Sequence, residues 1–327
     1  MKKFLVVSFT SEQKYTGGLQ CSKRNLESVK SLYGEENVIN YVITPYTGKQ
    51  NVSTKMKRVR DIFYGFMGGL DNKRIKEILS IIKAQKITDV FIDSSLLGLL
   101  AKKIKKKFPD VKITSFFHNY EKGFVYDAVI GAKDYFHLYW IILTAINEKC
   151  SVRYSDKIIC LNQRDADAIE KEYGRSADIL IPITLKSPEI KVNKSEVSIN
   201  REALFLGSYF FGNVQGLKWF CEEVLPKTDI HLTIVGASMD RFVNDVPVTP
   251  QISIYSNVPD LQPFFDAADF VILPIISGSG MKVKTAESLM YGKYIIGTDE
   301  AFRGYEITPD VGSRCNTSEA VSYTHLT

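Results

Sequence analysis

Short runs of β-branched and aromatic residues alternate with helix-period segments along nearly all of this 327-residue chain, and nothing else in it restricts the fold as strongly. Phe4–Phe9, Val38–Thr44, Asp89–Asp93, Val111–Phe117, Lys157–Leu161 and Ile179–Ile183 read as buried strands. Between them lie segments such as Leu19–Tyr33 and Asn162–Tyr173, the second closed by Gly174 as a helix stop. Parallel strands can be joined only through crossovers, so this order predicts a parallel sheet with helices on both faces. Leu185 to Arg201 breaks the pattern: it holds Pro188, is rich in charge and has no apolar period, as a linker should. A second series follows in Ala203–Gly207, Ile230–Val235, Ile252–Tyr255, Phe270–Pro274 and Tyr294–Thr298. The expected architecture is therefore α/β, with two doubly wound domains at 1–184 and 201–320 joined by a linker at 185–200. Ligands of such sheets bind beyond the C-terminal ends of strands, which is where chemistry should be sought.

Composition narrows the setting. The longest apolar run, Leu138 to Ile146, falls far short of the ~20 residues of a membrane span. The opening Met1-Lys2-Lys3-Phe4-Leu5-Val6-Val7 reads as a strand rather than a secretion signal. Five scattered cysteines (Cys21, Cys150, Cys160, Cys221, Cys315) lack C-x-x-C spacing and fit reduced thiols in a cytoplasm. A net charge of +5 gives little support for a polyanionic partner, and no nucleic acid is expected. The basic residues are nonetheless clustered. Lys102, Lys103, Lys105, Lys106 and Lys107 crowd one helix, and Lys55, Lys57, Arg58 and Arg60 precede Phe63, Tyr64, Phe66 and Met67. Two readings stand: a solvated helix face, or attraction to an anionic membrane surface at the inner side of the membrane.

The most informative segment runs from the strand Phe270-Val271-Ile272-Leu273-Pro274 through Gly278-Ser279-Gly280-Met281-Lys282 into a helix beginning near Val283. Glycines let the backbone approach a ligand, and the free amides at a helix start favour an anion. Lys282 and Lys284 add full charges, and Glu287, three residues on, projects from the same helix face as Lys284. That set suits a nucleoside diphosphate, with amides and lysine on the phosphates and a carboxylate on the ribose hydroxyls. The bland alternative is a strand–helix turn with surface lysines. G-x-x-x-x-G-K-[ST] is absent, so this is no Walker A loop.

Several ordered motifs carry a family resemblance. Asn257-Val258-Pro259-Asp260-Leu261, Ala268-Asp269, Gly278 to Lys284, Glu287 and Tyr291-Gly292-Lys293 resemble the donor domain of GT-B glycosyltransferases, specifically the retaining group 1 family, family four. Leu204-Phe205-Leu206-Gly207-Ser208 with Asn213 resembles the first strand and turn of the same domain. The resemblance implies two Rossmann-like domains facing across a cleft, a nucleotide diphosphate sugar as substrate, and no cofactor or metal. By position, Gly207 and Ser208 would face the diphosphate or sugar; Ser279, Gly280, Met281 and Lys282 would hold phosphates and sugar hydroxyls; Lys284 would add charge and Glu287 would take the ribose. Many members carry glutamate at both ends of an E-x(7)-E pattern. Here Ser279 stands at the first position and Glu287 at the second, so one carboxylate that usually contacts the sugar is missing.

In the first domain the strand Ile113–Phe117 ends in His118-Asn119-Tyr120-Glu121. Alone, such a histidine is more often structural; the resemblance sets His118 beside the transferred sugar, with Glu121 nearby on the acceptor side. Thr16-Gly17-Gly18 matches the glycine loop bordering the acceptor, although a bare Gly17-Gly18 is also a tight strand–helix turn. Asp165-Ala166-Asp167 has the D-x-D form of a metal holder, but its place in a first helical turn, favoured by the dipole, explains it without a metal. The expected activity is hexosyl transfer from a nucleotide diphosphate to a glycan or lipid-linked envelope acceptor, retaining and metal-independent. A nucleotide-sugar epimerase and a non-catalytic nucleotide-sugar-binding protein are the alternatives. Residues 321–327 lack helical or strand pattern and match the translation of a transposon end used in sequencing libraries. An adapter-derived tail, a second domain that is incomplete at its C-terminal end, and a truncated form without activity are accordingly expected.

Overall fold

The structure, a computed structural model, describes residues 2–9, 17–44, 52–131, 133–185, 201–246, 249–277 and 280–324. The chain divides into two units, Met1–Pro182 and Ile183–Thr327. The linker expected at 185–200 lies, beyond its first residue, outside the described residues.

The first unit runs β1 (Phe4–Phe9), α1 (Gly17–Tyr33), β2 (Val38–Ile43), α2 (Val52–Phe63), α3 (Asn72–Gln85), β3 (Asp89–Ile92), α4 (Gly98–Lys107), β4 (Lys112–Phe117), α5 (Glu121–Gly131), α6 (Leu138–Tyr154), β5 (Lys157–Cys160), α7 (Gln163–Tyr173) and β6 (Ile179–Leu180). Its strands form a six-stranded sheet in the order β2-β1-β3-β4-β5-β6, and every pairing is parallel. The second unit runs β7 (Glu202–Leu206), α8 (Phe211–Trp219), β8 (His231–Gly236), β9 (Ile252–Ser256), α9 (Gln262–Ala267), β10 (Phe270–Leu273), α10 (Val283–Met290), β11 (Tyr294–Gly297), β12 (Gly312–Arg314) and α11 (Ser318–Thr324). Its sheet, also parallel, is ordered β12-β11-β10-β7-β8-β9. The strand order reverses between β7 and β10 in the second sheet and between β1 and β3 in the first, and these switch points are where open α/β sheets leave a crevice for ligands.

Burial explains why these strands read as continuous apolar runs. In the second unit Ala203, Phe205, Ile272 and Ile296 pack into one core with Phe220 and Val224. Their sequence neighbours Leu204, Leu206, Val271, Leu273 and Ile295 pack into another with Phe265 and Phe302. Successive strand residues point to opposite faces, so a sheet covered on both faces favours apolar residues at consecutive positions.

Observed strands match the expected ones to within one residue at each end, apart from β6, which keeps only two of its five residues. Ile179 and Leu180 sit at the sheet edge, where solvent replaces a neighbouring strand. Strand β12 was not expected: Gly312-Ser313-Arg314 has no apolar signal and owes its extended form to pairing with Ile295–Gly297. The C-terminal stretch also differs from expectation. Residues 318–324 are helical, Thr317 accepts from the amides of Ala320 and Val321, and Val321, 3% exposed, joins the core of Phe220 and Val224. A single apolar side chain at one helical turn creates no period to read; residues 325–327 lie outside the described residues.

No helix among the described residues is long and apolar enough to cross a membrane. The lysine-rich helix is α4. Lys103, Lys106 and Lys107 are exposed on it, while Lys105 donates to Val111 O and pairs with Asp156 at 2.7 Å. Phe63, the last residue of α2, is 87% exposed, whereas Phe66 and Met67 after it are core residues rather than part of a surface.

Candidate functional site

In the second unit the turn at Gly280–Lys282, α10 and the end of β7 converge at the sheet's switch point. Helix α10 begins at Val283, as its sequence suggested, and carries Lys284 in its first turn. Lys284 Nζ donates to Asn213 Oδ1 at 2.6 Å and lies 4.6 Å from the centre of the Phe205 ring. Asn213 in turn donates to Ser208 O at 2.8 Å, so its amide is oriented from both ends. A Cβ on Gly207 would stand 2.9 Å from Lys284 Nζ, which places the β7 turn against the lysine. Burial, aided by the nearby Lys282 charge and opposed by Glu287, lowers the Lys284 ammonium to about 7. An anion arriving there would restore its charge.

Lys282 is held differently. Its Nζ donates to Gly280 O at 3.0 Å and to Glu300 Oε1 at 2.7 Å, with both side chains only about a tenth exposed (10% and 12%). Glu300 Oε2 also meets Arg303 Nη1 at 2.8 Å. The segment after β11 is fastened to the start of α10: Tyr305 donates to Lys282 O, Thr285 to Ala301 O, both at 2.7 Å. Gly304, at φ +87°, packs on Met281, so a side chain there would be both strained and 3.0 Å from Met281 Cγ. Helix α8 closes the other side. A Cβ at Gly216 would fall 1.6 Å from Pro274 O, so only glycine lets α8 lie against the end of β10. Gly207, Ser208, Gly280, Met281, Lys282, Lys284 and Glu287 thus belong to the turns after two adjacent strands, β7 and β10, and to the helix α10 that follows β10; Ser279 lies outside the described residues.

In the first unit His118 follows β4 and reaches the end of β3. Its Nε2–H donates to Asp93 O at 3.0 Å and stands 3.4 Å from Asp93 Oδ1. Asn25 on α1 donates to that same Oδ1 at 2.7 Å, while Asp93 Oδ2 is buried with no hydrogen-bond partner. Burial opposes charge on the imidazole, but hydrogen bonds to Asp93 and Cys21 outweigh it and hold the pKa well above the ordinary histidine value. Glu121 opens α5, with its carboxyl raised by burial against the pull of His118 and Asn119. Its amide, and that of Lys122, donate to the fully buried Glu148 of α6 at 2.8 and 3.2 Å, and Tyr173 adds a hydroxyl at 2.9 Å. Burial pushes Glu148 up to about 7, despite those donors.

Gly17 and Gly18 are the first two residues of α1 rather than a loop before it. First-turn amides have no intrahelical partner, so glycine costs little there and leaves those donors approachable. Thr16 lies outside the described residues. Asp165 is occupied as part of a cap: Asn162 Oδ1 accepts from its amide at 2.9 Å, and Asn162 donates to its carboxylate at 3.0 Å. Sequence reasoning missed Asp93, Glu148, Glu300 and Arg303. Asp93, Glu148 and Glu300 meet the site through partners distant in sequence, and Arg303 through Glu300; only Asp93, a charged residue closing an apolar strand, offered a signal.

Residues 200–311 match the family described as glycosyl transferases group 1. A curated relative, an uncharacterized 44.6 kDa protein in the cps region of Klebsiella pneumoniae, is 23% identical over 188 residues, covering 53% of this chain and 46% of the relative. The chain thus spans about half the length of the curated relative that it matches. Among solved structures, the lipopolysaccharide outer core galactosyltransferase WaaB in its apo form superposes with a TM-score of 0.62 at 13% identity, covering 99% of this chain and 89% of that one. Anabaena Alr3699/HepE, solved with UDP and glucose, gives 0.59 at 11% identity, covering 98% and 88%. Apo OtsA gives 0.63 at 11% identity, covering 99% and 90%. Residues 200–311 are thus similar to the group 1 glycosyl transferases, and the two parallel α/β sheets are those of the GT-B fold.

Proposed function

We propose that the protein is a glycosyltransferase that moves a hexose-type sugar from a nucleotide diphosphate donor to a glycan or lipid-linked acceptor of the cell envelope, with retention and without a metal. The observation that carries this reading is the convergence of Lys282, Lys284 and the α10 N-terminus with Gly207, Ser208 and Asn213 at the β7/β10 switch point. Two lysines and a set of free amides suit a diphosphate better than any neutral ligand. As the sugar leaves, negative charge builds on the diphosphate, and donors already in place stabilise that charge more than the ground state. Lys282 supplies the main share in this reading. Lys284, lowered to about 7 by its own burial, becomes more fully protonated as the anion arrives. Glu287, one helical turn after Lys284, takes the ribose hydroxyls.

In the first unit His118 is offered as the group beside the transferred sugar. Hydrogen bonds to Asp93 and Cys21 favour its charged form, which offers positive charge there rather than a base. Gly17, Gly18 and Glu121 form the acceptor side. The cps-region relative and the lipopolysaccharide galactosyltransferase support an envelope acceptor. The exposed α4 lysines together with Phe63 support contact with an anionic membrane surface.

Glu287→Ala tests the donor site. A charge-assisted hydrogen bond contributes roughly 1.5–3 kcal/mol, so affinity for the nucleoside diphosphate should fall about 10- to 100-fold. Calorimetry that finds it unchanged removes the ribose role. A product assay separates the alternatives: an epimerase releases an altered sugar nucleotide with no acceptor present, and a binding protein consumes no donor at all.

A further inference from the structure

The loop that resembles a donor site lacks one carboxylate, because Ser279 stands where a glutamate would contact the sugar. The tertiary structure brings another against Lys282 and Gly280. Glu300, on the segment after β11, lies 2.7 Å from Lys282 Nζ, and that ammonium also donates to Gly280 O, the residue next to Ser279. We propose that Glu300 is the carboxylate that accepts the donor-sugar hydroxyls and so determines which sugar is taken. This rests on the nucleotide-sugar reading of the site given above.

Three observations carry it. The side chain is preorganised: it is 12% exposed, bridged between Lys282 and Arg303, and borne on a segment fastened to α10 through Tyr305 and Thr285. Recognition of hydroxyls requires acceptors that do not move, and a buried, doubly paired carboxylate meets that requirement. Second, charge sets its place along the ligand. A carboxylate cannot stand among phosphate oxygens, but an ammonium has three donors and can hold a carboxylate and a phosphate side by side. The group next to the phosphates in a sugar nucleotide is the sugar, so a carboxylate sharing the phosphate-binding lysine faces its hydroxyls. Third, Arg303 neutralises Glu300, which lessens its repulsion of the incoming diphosphate.

The experiment compares nucleoside diphosphates with their hexose esters. Calorimetry with UDP, GDP, ADP and dTDP, and with the glucose, galactose and mannose esters of each, is run on the wild type, Glu300→Gln and Glu300→Asp, with thermal melting as the folding check. Glu300→Gln should weaken the preferred sugar ester roughly 10- to 100-fold while leaving the bare diphosphate unchanged or tighter. Glu300→Asp keeps the charge but shortens the reach, and should show the same split; it carries the test if the glutamine variant melts early. Equal gains for diphosphate and ester would make Glu300 only a counter-ion of Lys282 and overturn the inference. Loss of both in equal measure overturns it too. A wild type that binds no nucleoside diphosphate ends the underlying reading of the site, and this one with it.

Discussion

The two units gather charged residues at the ends of parallel strands, but they do so by opposite means. In the second unit the candidate site is nearly continuous in sequence. Residues 280 to 305 supply Lys282, Lys284, Glu287, Glu300 and Arg303, and only Gly207, Ser208 and Asn213 come from elsewhere. In the first unit His118, Asp93, Asn25, Cys21, Glu121, Glu148 and Tyr173 come from six different elements or their ends. Charge in the second unit is held in the linked ion pairs Lys282–Glu300–Arg303, with Arg303 54% exposed. In the first it is buried and already hydrogen-bonded by the protein itself. A loop site can lose a side chain and keep its fold, whereas a buried network that loses a member leaves its partners unsatisfied.

Lys282→Ala is the most severe test of that difference. Turnover should fall about 10²- to 10³-fold, the usual cost of one transition-state donor, with KM changing less. The melting temperature should hardly move, because Arg303 still neutralises Glu300. Steady-state kinetics and calorimetric melting check both halves; a large drop in melting temperature with intact turnover would break the comparison.

Glu148→Ala should behave in the opposite way. It strips acceptors from the Glu121 and Lys122 amides and from the Tyr173 hydroxyl, all in a fully buried place. A loss of roughly 3 kcal/mol follows from leaving such donors unpaired, lowering melting of the first unit by about 6–12 °C. Glu148→Gln keeps a carbonyl acceptor in the same volume and should lose less than half as much. Equal losses in the two variants would mean that packing, not hydrogen bonding, is what Glu148 contributes.

The smallest effect concerns Lys284. Its folded value of about 7 lies below the ordinary 10.5, so the folded protein holds fewer protons than the unfolded chain between those two values. Stability from this group therefore rises with pH across that window and is least below about 7. A bound diphosphate restores the charge, so binding near pH 8 should take up a fraction of one proton. Calorimetry in buffers of different ionisation enthalpy reads that uptake, which Lys284→Met should abolish. Uptake that persists in the variant would assign the proton to another group.

Much of the architecture was legible in the residues alone. Alternating apolar runs and helical periods specify parallel sheets, because only strands covered on both faces need apolar residues at consecutive positions, as in Phe270–Leu273. The glycine loop, Lys282, Lys284 and Glu287 were equally legible, since a strand, a turn and a helix start are local events spanning fewer than twenty residues. The partners of those residues were not. Glu300 reaches Lys282 across 18 positions, Asn213 reaches Lys284 across 71, and Asn25 reaches Asp93 across 68. Strand order decides such meetings, and no residue encodes strand order by itself: it emerges when the sheet closes over its core and sets β7 beside β10 and β1 beside β3. The sequence determined which elements form and where charge is stored along them. Tertiary structure alone decided which charges face one another, because that depends on chain crossings whose energy is collective.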